Sequence, residues 1–403
     1  MKHSTDRILT THAGSLVRPP EIIAVMAARE ARQPYDQAAF SGQLHDGVAE
    51  VVREQAAAGV DIPSDGEYGK VGWTNYVTER ISGLEARPFE PGRARQIFGK
   101  DREDFADFYA AWNRHERTMW LPPAQAAAPA TSSLIAWECT GPIKYTGQQA
   151  IQTDIANFKA ALNGVRVQGA FEDAFLPVSA PGSAEATRLN QYYPSEEAYL
   201  YALADALKEE YRAIVDAGLL VQVDDAFLPA LYDRLLLSGS LEDYRKFSHL
   251  RVEAVNHALK GIPEDRVRYH ICWGSWNGPH STDVPLKEIV DLVLEVNAGA
   301  YSIEAANPRH EHEWRVWENV KLPEGKILIP GVVTHSTNII EHPELVAERI
   351  TRFARLVGRE NVIAGTDCGF SQIWNLIRTH PSIQWAKLRA LAEGARLATQ
   401  QLW

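Results

Sequence analysis

Short apolar runs alternate along the chain with longer segments whose apolar residues recur every three or four positions, the pattern of strand and helix units that feed a parallel sheet. The spacing predicts a helix over Ser195–Ala217, with Leu200, Leu203, Leu207, Tyr211 and Ile214 on one face and Gly218 as its stop. The strand Leu219–Asp224 follows at once. Helices over Asp46–Ala58, Leu286–Val296 and Pro343–Leu356 lead in the same way, through Gly59, Gly299 and Gly358, into apolar runs. Eight runs read as strands: Ile8–His12, Val60–Glu67, Phe175–Ser179, Leu219–Asp224, Val267–Cys272, Ala300–Glu304, Ile327–Val333 and Val362–Cys368. Eight βα repeats predict an α/β chain folded as a (βα)8 TIM barrel. The alternative, a doubly wound sheet, lacks the GxGxxG turn after a first strand.

A plain barrel needs about 250 residues, and this chain has 403. The surplus falls mostly in 81–170, which contains Pro122-Pro123, the Ala/Pro/Ser-rich stretch Ala124–Ser133 and a further strand over Leu134–Cys139. It reads as an insertion between early strands of one barrel domain spanning 1–403. With 41 basic and 52 acidic residues the net charge is −11, and the basic residues are scattered. That excludes a nucleic-acid footprint, which needs a clustered basic face. No stretch approaches the roughly 20 apolar residues of a spanning helix, and Met1–Gly14 is polar, so the expectation is a cytoplasmic protein without membrane partners. Three cysteines cannot build a disulfide framework and fit a reduced compartment in which a thiol can do chemistry. The sequence leaves homo-oligomerisation open.

In a barrel the chemistry gathers where strands end, because the βα loops converge there on one mouth. Residues two apart on a strand share a face, so His270 and Cys272 present an imidazole and a thiol side by side. Alone, such a pair is an ordinary core feature. Glu304 ends the next strand and Cys368 the last, and one His, two Cys and one Glu make a tetrahedral set that selects Zn2+. Cys139, in the insertion, reads as a buried, inert thiol. Glu67, Asp224, Asp225 and His335 add acids and a base around the same mouth. Thr10–Ser15 offers backbone N–H groups and a hydroxyl for a carboxylate, and Arg18 pairs either a substrate anion or an acidic neighbour. Trp273 and Trp276 flank the metal strand and offer stacking faces or packing. His310-Glu311-His312 reads as a solvated helix start.

In order along the chain, Thr11-His12-Ala13-Gly14-Ser15, Asp65-Gly66-Glu67, Gln222-Val223-Asp224-Asp225, His270-Ile271-Cys272, Ser302-Ile303-Glu304, Gly331–Ser336 and Asp367-Cys368-Gly369 resemble the catalytic barrel of cobalamin-independent methionine synthase and its shorter, single-barrel relatives. The resemblance covers nearly the whole chain except the insertion. It implies a zinc-dependent methyltransferase acting on a thiol, with His270, Cys272, Glu304 and Cys368 on the metal. It further implies that Glu67 and Asp224 hold the amino group of homocysteine, Gly14 and Ser15 its carboxylate, and that His335 assists proton transfer. Departures bear on the second substrate: the family's Asp-Glu-Pro is Asp224-Asp225-Ala226, Thr334 replaces an acid, and Phe370, Ser371 and Gln372 stand where basic residues follow Asp-Cys-Gly. The donor is therefore open between methylfolate, a methyl-corrinoid and, in the superfamily's epoxyalkane:coenzyme M branch, an epoxide opened by the zinc-held thiol. A non-catalytic zinc or thiol carrier would not need Glu67, Asp224 and His335.

Overall fold

A computed structural model describes residues 1–88, 99–115, 135–165, 171–274 and 276–403. Pro122-Pro123, the stretch Ala124–Ser133 and Leu134 lie outside the described residues. In chain order the strands are β1 (Leu9–Thr10), β2 (Leu84–Pro88), β3 (Ile135–Cys139), β4 (Phe175–Ser179), β5 (Arg188–Asn190), β6 (Leu220–Asp224), β7 (Val267–Ile271), β8 (Ala300–Ile303), β9 (Ile327–Val333) and β10 (Ile363–Thr366). Seven of them form one parallel sheet in the order β1-β10-β9-β8-β7-β6-β4. The ring closes through the chain around Ile62. Ile62 bridges Thr11, and the N–H groups of Glu172 and Phe175 donate to the carbonyls of Asp61 and Pro63 at 2.9 and 3.0 Å. The fold is the expected (βα)8 barrel.

The expected strand Val60–Glu67 is reduced to that single bridge. Pro63 has no N–H to give a ladder, and Gly66 and Glu67 turn the chain with φ of 68° and 59°. Leu286–Val296 is likewise not one helix but a 3-10 turn, Leu286–Glu288, and a short helix, Val290–Leu294. The β-branched pair Ile289-Val290 at the junction is poorly suited to a continuous helix. Elsewhere the periodicity holds: helix Glu196–Asp216 starts at the Ser195 cap and helix Pro343–Val357 stops at Gly358. Helix Gln37–Ala57 begins earlier than its apolar pattern, because the Asp36 side chain accepts the N–H groups of Ala38 and Ala39, each at 3.0 Å.

Strand alternation sorts the residues into layers. Val221, Val223, Tyr269, Ile271, Tyr301 and Ile303 point out into the core beneath the helices. Leu9, Ile62, Phe175, Leu220, Ala300 and Ile363 pack together as the barrel floor. Above that floor the inward series turns polar: Gln222 and Asp224 on β6, Arg268 and His270 on β7, Ser302 on β8. Beside the barrel, β2, β3 and β5 form a small sheet in which Cys139, at the end of the central strand, is buried as expected.

The segment 99–115 is fastened to the barrel by two carboxylates. Asp233 accepts the N–H groups of Gly99 and Asp101 at 2.7 and 2.8 Å and the Thr282 hydroxyl at 2.6 Å. Asp101 accepts the Ser281 N–H at 2.9 Å and the Tyr109 hydroxyl at 2.7 Å. Among the described residues no helix is long and apolar enough to cross a membrane.

Candidate metal centre

His270 and Cys272 leave the end of β7 on its inner face, and Cys368 follows β10, three strands further round. One ligand atom from each lies within 4.8 Å of the others, and all three residues are buried. The sulfurs of Cys272 and Cys368 are 3.6 Å apart. Two thiolates bound at about 2.3 Å to one tetrahedral zinc stand about 3.8 Å apart, so the pair is spaced for a shared ion. His270 Nδ1 is hydrogen-bonded to the Ser302 hydroxyl at 3.0 Å, across from it in register on β8, which leaves the other ring nitrogen to the interaction of the imidazole with Cys368. That division is how a ligating imidazole is normally oriented. The mutual hydrogen bond of the two sulfurs pushes the Cys272 thiol well up and holds Cys368 well down.

Glu304, expected as a fourth ligand, is buried beside these three but does not belong to the converging set. Its Oε2 accepts from Asn307 at 2.9 Å and its Oε1 has no hydrogen-bond partner among the described residues. Burial first, and then the nearby Asp367, push its carboxyl well up.

Glu67 and Asp224 line the same cavity as the metal set. Burial dominates both, raising Glu67 to about 8 and Asp224 to about 7. Asp224 accepts from Gln222 Nε2 at 2.8 Å, and the same amide nitrogen donates to the Ala13 carbonyl at 2.7 Å. Glu67 keeps its unusual φ because its N–H donates to Asp65 Oδ1 at 2.9 Å.

The expected carboxylate cradle is narrower than its sequence suggests. The Gly14 N–H donates to His12 Nδ1 at 3.1 Å, and His12 Nε2 meets Gln55 Oε1 at 2.8 Å. Ser15 lines the cavity. It fits there because residue 369 is glycine: a Cβ would sit 2.0 Å from the Ser15 hydroxyl. Arg18 points away from this work, donating to the carbonyls of Glu67, Lys70 and Ser371 at 2.8, 2.9 and 3.0 Å. The guanidinium lies between the turn at Glu67–Lys70 and the loop at Ser371 and is drawn to their carbonyls, so among the described residues no surface acid is its hydrogen-bond acceptor. His335 is buried, outside the residues that line the cavity, and near enough to Cys368 to help hold that thiol down.

The cavity has a volume of about 280 Å³. Trp73, Phe227 and Trp276 give it aromatic walls, and Arg102 and Trp112 reach it from the segment 99–115. Trp273 offers no face to it: it is fully buried, donates to the Val284 carbonyl at 2.8 Å and stacks on His310 at 4.0 Å. The sequence reading of His310 as solvated is also overturned. It is buried between Glu313, 2.8 Å from its Nδ1, and Asp283, 3.0 Å from its Nε2, and these bonds outweigh burial to raise it to about 10. The 3-10 helix Glu311–Glu318 starts immediately after it. Sequence reasoning also missed Ser302, Asn307 and Arg378. Only Ser302 had a usable signal, its inward position two residues before Glu304.

Residues 187–383 match the family model described as the catalytic domain of cobalamin-independent synthase. Over 397 residues the chain is 25% identical to 2-hydroxypropyl-CoM lyase of Xanthobacter autotrophicus, covering 92% of this chain and 89% of that one. It is 22% identical to methionine synthase of Thermococcus kodakarensis, covering 98% and 94%. Among solved structures, a B12-independent methionine synthase from Shewanella in complex with selenomethionine superposes with a TM-score of 0.69 at 18% identity, covering 98% of this chain and 99% of that one. A B12-independent synthase from Listeria monocytogenes superposes at 0.63, also at 18% identity and over 98% and 99%.

Proposed function

We propose, from the premise that the chain is related to the cobalamin-independent methionine synthase catalytic-domain family, that it is a zinc-dependent thiol alkyltransferase transferring a methyl or small alkyl group to homocysteine or a similar thiol. The observation that carries this reading is the convergence of His270, Cys272 and Cys368 within 4.8 Å at the barrel mouth, in one cavity with Glu67 and Asp224. The three would hold Zn2+, and Glu304, buried nearby but outside the converging set, would reach the ion as a displaceable fourth ligand only by moving toward it. Bound there, zinc would supply a Lewis acid that keeps a substrate thiol deprotonated at neutral pH.

The remaining steps belong to the chain's own groups. Glu67 and Asp224 take the substrate ammonium, which lets both carboxyls ionise. Ser15, with the Gly14 backbone behind it, faces the substrate carboxylate. Ser302 holds the His270 ring in place, and His335 carries the proton that the leaving atom needs. The buried walls exclude water that would compete with the sulfur. We also read 1–403 as one domain with 81–170 as an extension within it, of which the segment 99–115 helps to cover the mouth.

A second reading is addition of the held thiol to an epoxide. The apolar lining of Ala226, Phe227 and Ala230, which suits an aliphatic electrophile, and the likeness to the lyase favour it.

Elemental analysis of purified protein is expected to find one zinc per chain, lost in Cys368→Ser; a folded wild-type protein that takes up no zinc overturns the reading. A product screen of homocysteine and coenzyme M against methylfolate, methylcobalamin and epoxypropane then separates transfer from epoxide opening.

A further inference from the structure

Three side chains of the thiol cavity have a second chamber on their other side. Trp73, Phe227 and Ile373 line the cavity of about 280 Å³ that holds the metal set, and they also line a side chamber of about 430 Å³ together with Val71 and with Ile135 and Trp137 of β3. The backbone of this wall is fixed where two segments meet. Gly72 bridges Ile373, the Trp73 N–H donates to the Gln372 carbonyl at 2.9 Å, and the Trp374 N–H donates to the Val71 carbonyl at 3.0 Å. The Trp73 ring is placed by packing: it lies against Ala226, Cys272 and Cys368 and is tilted 41° to the Phe227 ring with centroids 5.3 Å apart. It therefore borders the two sulfurs on one side and the side chamber on another. The charged lining of the thiol cavity, Glu67, Asp224, Arg102 and Arg378, is not shared with the side chamber. The charges of the side chamber are engaged locally. Arg29 pairs with Glu79 at 2.6 Å, Glu30 accepts from the Trp374 indole at 3.0 Å, Arg188 donates to the Ala184 and Thr74 carbonyls at 2.6 and 2.7 Å, and Arg32 lies 5.9 Å from the centroid of the Trp137 ring.

We propose that Trp73, with Phe227 and Ile373 beside it, is a specificity-determining residue: its ring sets how long an uncharged alkyl chain the second substrate can bring to the sulfur. A chain delivered at Cys272 and Cys368 runs along Ala226 and meets the Trp73 ring. Each methylene that fits gains by leaving water. One too many has to displace an indole already packed on both neighbours, and overfilling a packed wall is costly. A carbon takes up about the room of one water, roughly 30 Å³, so a chain of ten carbons exceeds the thiol cavity of about 280 Å³. Removing the indole joins the two chambers and lets a longer chain pass onto Val71, Ile135 and Trp137. The inference rests on the alkyltransferase reading only in taking the two sulfurs as the place where the chain is delivered.

The probes are the straight-chain 1-alkanols from ethanol to decanol, titrated into zinc-loaded protein and followed by ligand-observed NMR, which needs no tryptophan as reporter. In wild-type protein the affinity is expected to rise about fourfold per carbon and to stop rising before decanol. In Trp73→Ala the rise should continue for about two carbons more or further, and in Ile373→Ala it should extend by less. An affinity that climbs unbroken to decanol in wild-type protein, or an absence of alkanol binding, overturns the proposal. So does a break at the same carbon number in folded Trp73→Ala or, should that variant fail to fold, in Ile373→Ala. Alkanols carry neither ammonium nor sulfur, so the result does not depend on which thiol is alkylated. Zinc uptake and the product screen report on the alkyltransferase reading itself. A break that moves in a protein alkylating no thiol keeps the wall and sinks that reading, whereas thiol alkylation with an unmoved break keeps the reading and sinks the wall.

Discussion

Two buried carboxyls with raised pKa values give the site a calculable pH response. Burial raises Glu67 to about 8 and Asp224 to about 7, whereas a bound ammonium needs them ionised. Binding must therefore expel protons at low pH, so affinity rises with pH and levels off above about 8. For methionine, whose ammonium stays charged across the range, calorimetric titration from pH 6 to 8 should show Kd falling by up to about tenfold per unit for each proton expelled. A flat profile would mean that neither carboxyl meets the ammonium. His310 works in the opposite sense. Its folded pKa of about 10 lies above the unfolded value near 6.5, so its contribution to stability is complete below 6.5 and is lost as pH climbs toward 10. Removing one member of a buried, hydrogen-bonded ion pair costs about 3–5 kcal/mol. His310→Gln should destabilise by that order at pH 6 in urea titrations, with the gap to wild type narrowing by pH 9.5.

Each element contributes to the site through its end rather than its middle. β6, β7 and β8 are apolar on the outer face and polar at the upper end of the inner one, so their last inward residues arrive together as Asp224, His270 and Ser302. This much followed from alternation and was legible in the sequence. The roof was not. Arg102 and Trp112 reach the cavity because Asp101 and Asp233 pin the segment 99–115 against Ser281 and Thr282, partners 180 and 49 residues away. No local pattern announces such a contact. Asp233→Ala should leave zinc content unchanged while amides of 99–112 exchange about 10- to 100-fold faster, the loss of roughly 1.5–3 kcal/mol of local hydrogen bonding. Unchanged exchange would show that the clasp does not hold the segment.

Across the whole molecule the metal set ties together the turn after β7 and the turn after β10, which are separated by almost a hundred residues of chain. An ion bound only by the folded form stabilises it by about 2.7 kcal/mol at a hundredfold excess over Kd. Chelation should accordingly lower Tm by about 3–6 °C, and added zinc should restore it; a Tm indifferent to both would place the ion elsewhere. Taken by itself, the sequence determined the repeat of strand and helix, the barrel that eight repeats make, and the residues His270, Cys272, Cys368, Glu67 and Asp224 as the polar ends of strands and turns. It could do so because periodicity and strand-end chemistry are local. The tertiary structure alone decided which polar groups meet. It left Glu304 outside the converging set, turned Arg18 onto backbone carbonyls, buried His310 between two carboxylates and brought Arg378 to the cavity wall. A charged side chain settles with whichever acceptors surround it, and those acceptors come from distant segments whose approach is set by the closing of the barrel.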